Sequence, residues 1–177
     1  MPSGKTHDAI TFILAAPVLV VTYFLTASST AAIVVTAAFL FGGLMFGPDL
    51  DTLSKQYSRW SVFKTLWYPY RSFFNHRSRW SHGLIFGTFF RIVYFMGVLS
   101  LAAFLVIFAA ATYFNRTLPD LKSFAEIWQT IGNYTRANFG NHALIAVFIG
   151  MWIGAASHTF TDMAGSYIKT GRITKFL

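Results

Sequence analysis

Cysteine is absent from this 177-residue chain, which excludes disulfides, iron–sulfur clusters and thiolate zinc sites and leaves only nitrogen and oxygen to hold a metal. Acid is scarce as well. Six Asp and Glu stand against 14 Lys and Arg, a formal charge of +8, and charged residues of both signs make up only 11% of the chain, less than half the roughly 25% of soluble proteins. A surface of that kind does not suit water. What is abundant is apolar: 55% hydrophobic residues with 20 Phe, 8 Tyr and 5 Trp, and a mean hydropathy of +0.52. That exceeds what one soluble core of this length uses, and it suits lipid-facing surfaces and interfacial belts. The cationic excess therefore reads first as topology determinants and attraction to an anionic membrane surface, and only afterwards as nucleic-acid binding.

Four apolar segments stand out, at 9–26, 31–46, 84–113 and 143–160. A hydrocarbon core of about 30 Å needs about 20 helical residues, so the first two must borrow flanking residues and the third has length to spare. The expected fold is all-α: an integral membrane bundle of about four transmembrane helices with interfacial segments, forming a single membrane domain over 1–177. Lys5 ahead of an apolar run resembles a signal peptide, but a second apolar segment follows after only 27–30, which favours a tight helical hairpin. Between the second and third segments, 47–82 interleaves Trp60, Trp67, Tyr68, Tyr70, Phe73, Phe74 and Trp80 with Lys and Arg. Placed between two spans, this pattern predicts rings at headgroup depth, with lipids and not nucleic acid as the partner. Ahead of the fourth span, Phe124, Ile127, Trp128 and Ile131 fall at helical spacing, and Ser123 with Glu126 has the pattern of a capping box. An amphipathic surface helix is expected there.

An even number of spans puts the N-terminus, 47–82 and the C-terminal tail on one side. That side carries ten cations (Lys5, Lys55, Arg59, Lys64, Arg71, Arg77, Arg79, Lys169, Arg172 and Lys175) against three (Arg116, Lys122 and Arg136) on the other. The positive-inside rule makes it cytoplasmic, with both termini there. The same placement gathers His7, Asp8, Asp49, Asp51, His76, His82, His158 and Asp162 near one plane and leaves His142 at the far face. His158 and Asp162, at i and i+4, share a helix face. His76 and His82 converge only if a turn intervenes near Ser78–Ser81, and Asp49 with Asp51 reads as a bent loop offering alternate carboxylates. Such acids need counter-charge near a membrane, from Arg77 and Arg79 or from a metal. Arg91, inside the third span, either snorkels outward or faces this cluster.

The segments Pro2-Ser3-Gly4-Lys5-Thr6-His7-Asp8, Gly47-Pro48-Asp49-Leu50-Asp51, His76-Arg77-Ser78-Arg79-Trp80-Ser81-His82, and Ser157-His158 with Asp162 carry a resemblance. In their order and placement at helix ends, the chain resembles the membrane-bound metal-dependent hydrolases typified by the LexA-regulated YdjM-like proteins. It is closer still to relatives described only as metal-binding membrane proteins. The resemblance implies a divalent metal held by His7, Asp49, Asp51, His76, His82, His158 and Asp162, zinc first, with manganese or iron as the alternatives. A further likeness, of Pro2-Ser3-Gly4 and His158 to Asp162 with the lipid phosphate phosphatases, fails because Lys5 replaces their histidine and no room is left for their upstream basic motif.

On the hydrolase reading the substrate is a phosphoester, lipid phosphoesters included, at the cytoplasmic face. Asp49, Asp51 and Asp162 are then the candidate catalytic carboxylates, and Arg77 and Arg79 the candidate phosphate ligands. Seven ligands exceed the three usual for mononuclear catalytic zinc, so either two ions bind or some residues serve as bases and orienters. The alternative is a non-catalytic membrane subunit whose cluster is a structural metal or ion-pair site, with lipids or another membrane protein as partner.

Overall fold

A computed structural model describes residues 3–74, 78–114 and 120–171. Among them are eight α-helices and no strand: α1 (Gly4–Thr26), α2 (Ser29–Leu44), α3 (Lys55–Arg59), α4 (Tyr68–Phe73), α5 (Arg79–His82), α6 (Phe86–Tyr113), α7 (Leu121–Phe139) and α8 (Ala143–Thr170). Two 3₁₀ turns, Pro48–Asp51 and Ser61–Trp67, complete the secondary structure. Four helices are long and apolar enough to cross a membrane: α1, α2 continued through the turn to Asp51, α6 and α8.

The boundaries lie further out than the apolar runs. The side chain of Ser3 accepts the Thr6 N–H and starts α1 at Gly4, so His7 and Asp8 stand inside a helix and not ahead of one. The connection to α2 is only Ala27 and Ser28, with Ala27 in the left-handed region at φ 49° and Ser28 capping the Ala31 N–H. At its other end α2 stops at Leu44, because Pro48 cannot donate and its ring disfavours helix just before it. Helix α8 runs to Thr170, ten residues past the apolar run, and so carries both His158 and Asp162 on regular backbone. The capping-box expectation for α7 is corrected. The helix begins at Leu121 and the Phe124 N–H bonds to the Asp120 carbonyl, so Ser123 lies inside the first turn and not ahead of it.

Helices α2 and α8 pack backbone to backbone. A Cβ at Gly150 would meet the Val35 carbonyl, one at Gly154 the Phe39 carbonyl, and one at Gly42 the Met151 carbonyl. Small residues let the two backbones come into van der Waals contact, which holds the pair. This seam fixes the height of His158 and Asp162 relative to the turn that follows α2.

The 47–82 stretch departs in part from a headgroup belt. Trp67 and Tyr70 are buried with Phe46, Leu50 and Tyr57 in a compact aromatic cluster, where Phe95 of α6 stacks on Trp67 at 5.8 Å. Tyr68, Phe73 and Trp80 remain exposed, as a belt requires. The reason is local: Trp60 donates to the Met45 carbonyl and Tyr94 to the Leu66 carbonyl, which pulls the short helices back over the end of α2. The folded-back lid brings Asp49, Asp51 and His82 over the end of α8.

Candidate metal centre

Five side chains from four separate parts of the chain converge. His7 of α1 presents Nε2 to Asp162 Oδ1 at 3.2 Å. His158 of α8 faces Asp162 Oδ2 at 3.7 Å and Asp49 Oδ2 at 3.3 Å through its own Nε2. His82, the last residue of α5, places Nε2 3.5 Å from Asp49 Oδ1. The His7 and His158 rings lie parallel, 3.8 Å between centroids and 8° between planes, so both turn an edge toward the same carboxylate.

Asp51 acts one step further out. Its Oδ2 lies 3.4 Å from His82 Nδ1, which also meets Ser81 Oγ at 3.1 Å. A carboxylate on the far nitrogen of a histidine fixes ring orientation and tautomer and directs the near nitrogen to its ligand. Burial opposes a charge on His82, but hydrogen bonding and charge from Asp49 and Asp51 outweigh it and hold the imidazole pKa above its ordinary value. Because a ligating imidazole must be neutral, metal binding at His82 is expected to weaken as pH falls.

The donor set fits a cation. Asp162 is fully buried, and neither of its oxygens has a hydrogen-bond partner; His158 Nε2 and His7 Nδ1 are also buried without one. The distances from Asp162 to the two rings are within ion-pair reach, yet they lack hydrogen-bond geometry. A buried carboxylate left this way costs several kcal/mol, roughly, unless a metal or proton compensates it. His7, His158 and Asp162 form one group that could hold a metal ion, and Asp49, His82 and Asp162 form another.

Not every residue expected here arrives. Asp8, next to His7 but about 100° round the helix, points away and pairs with Lys55 and Arg59 of α3. His76 and Arg77 lie outside the described residues, and Arg79 stands at the start of α5. Two further residues support the centre, and only Arg91 was signalled by the sequence. The Gln56 amide bridges the Gly43 carbonyl at 2.8 Å and His158 Nδ1 at 3.2 Å, and it lies where a Cβ on Gly47 would be. Arg91, fully buried in α6, donates to the Ser81 carbonyl at 2.5 Å and to Thr88 Oγ1 at 3.0 Å. It faces the cluster, as a charge inside an apolar span signals, and steadies the residue beside His82.

His142 sits at the opposite end of α8, where it precedes Ala143. The 16 positions to His158 span about 24 Å at a rise of about 1.5 Å per residue. His142→Ala is therefore expected to leave metal content unchanged by elemental analysis of the purified protein, and a loss would place the centre elsewhere.

These features define a class: all-α metal-binding proteins in which four helices of membrane-spanning length carry a buried His and Asp cluster near one end. The chain belongs to the family described as uncharacterized metal-binding protein (DUF2227), which it matches over residues 2–172. No curated protein and no solved structure matches the chain.

Proposed function

We propose that the protein is a membrane-embedded, metal-dependent hydrolase of phosphoesters, with lipid phosphoesters as substrate, working at the cytoplasmic face. The observation that carries this reading is the convergence of His7, Asp49, His82, His158 and Asp162, with both Asp162 oxygens and His158 Nε2 buried and without a hydrogen-bond partner. A divalent cation supplies Lewis acidity to a phosphoryl oxygen and makes water a nucleophile near neutral pH. The chain's own residues do the remainder. Asp51 and Gln56 set the rotation of His82 and His158, while burial of both rings excludes bulk water from their metal-facing edges. Asp49, at 22% exposure, is the member open to solvent, so substrate approach is along its edge. The ten-to-three distribution of cations supports a cytoplasmic location for this end.

Near-complete burial of Asp162, His158 and His82 is the observation favouring the second reading, a structural metal in a non-catalytic subunit. Full-length protein in detergent, loaded with Zn²⁺ or Mn²⁺, separates the two on a panel of soluble and lipid phosphoesters. Turnover that is abolished by chelation and reduced at least a hundredfold by Asp49→Asn, with helicity intact, is the expected result. Metal-loaded protein inert on every ester favours the structural role.

A further inference from the structure

We infer that the centre takes two divalent cations, with Asp162 and Asp49 shared between them. This rests on the metal-centre reading above and adds the number of ions and the division of ligands. At bond lengths of about 2.0–2.2 Å, two ligands on opposite sides of one ion lie at most about 4.4 Å apart. Among the described residues, two groups of donors come near that limit. His7, His158 and Asp162 bring their ligand atoms within 4.8 Å of one another, as do Asp49, His82 and Asp162, but His82 joins neither His7 nor His158 in such a group.

The two carboxylates occupy the ground between the histidines. Asp162 belongs to both groups. Asp49 also straddles them, with Oδ1 toward His82 at 3.5 Å and Oδ2 toward His158 at 3.3 Å. The chain of contacts runs from His7 through Asp162, His158 and Asp49 to His82, and ends on Asp51. Two histidines serve one end and one serves the other, where Asp51 braces the single ring.

Charge points the same way. Formally, the three carboxylates of Asp49, Asp51 and Asp162 bring three negative charges, and the Arg91 guanidinium beside Ser81 brings one positive charge. Two divalent cations would leave the assembly net positive, a fitting site for an anionic phosphoester, whereas one would leave it neutral.

The test uses full-length protein, stripped of metal and titrated with Mn²⁺, with bound metal measured after desalting and by electron paramagnetic resonance. Two equivalents per chain and an exchange-coupled dimanganese spectrum are expected, against one equivalent and an uncoupled six-line spectrum in both His7→Ala and His82→Ala. Circular dichroism checks that each variant is folded, and if a variant fails to fold, the wild-type stoichiometry and spectrum decide alone. A single equivalent in the wild type without coupling overturns the inference while leaving a mononuclear centre standing. No bound metal overturns the metal-centre reading as well.

Discussion

Asp162→Ala is expected to reduce the bound metal of the purified protein to below a tenth of the wild-type amount while leaving the metal-free fold intact. The two halves of this result have one cause. Asp162 is completely buried with both oxygens lacking hydrogen bonds, so in the metal-free protein no hydrogen bond is lost with it and its removal relieves a desolvation cost. With metal present, the same carboxylate belongs to both candidate ligand groups, and its loss leaves each with two members. A ligand at a hundredfold excess over its Kd raises stability by about 2.7 kcal/mol, so metal addition should raise the Tm of the wild type and not that of the variant. Equal metal-induced shifts in both would show that Asp162 is no ligand.

Gly154→Val is expected to be the most damaging single substitution along the α2–α8 seam. Overpacking a fitted interface costs about 1–3 kcal/mol when side chains can give way. At Gly154 the atoms met by a Cβ are the Phe39 carbonyl and the Gly43 N–H, both backbone, so the cost should lie at or above about 3 kcal/mol. The helices must separate. His158 and Asp162 follow about one and two turns later on the same helix and would shift away from Asp49, so metal content should fall along with Tm. Gly97→Ala is the control, since a Cβ there meets nothing within 4 Å and alanine improves helix propensity. A Tm for Gly154→Val within a degree or two of wild type would mean that the seam is loose and the site is held together some other way.

The sequence by itself determined the helical class and four apolar segments, because length and hydropathy are local properties that mark out helices long and apolar enough to cross a bilayer. It also pointed to one polar end of the bundle, since His7, Asp49, Asp51, His82, His158 and Asp162 all lie near the ends of apolar segments that an alternating up-down path brings together. The i, i+4 pair His158 and Asp162 was legible for the same reason: helical periodicity alone fixes it. Only the tertiary structure decided which acids face inward. His7 and Asp8 are neighbours, and the rotation of α1, set by its packing on α2, turns one into the cluster and the other toward Lys55 and Arg59. The separation of Asp51 from the ligands was likewise hidden, because it depends on the 3₁₀ turn that lets Asp49 meet two histidines while Asp51 braces one. Gln56 was beyond reach of any pattern. Its contact with His158 joins residues 102 positions apart, and it exists because the aromatic stretch folds back on Trp67 and Tyr70 instead of spreading along the membrane surface, a choice made by side-chain packing over long sequence distance that composition does not encode.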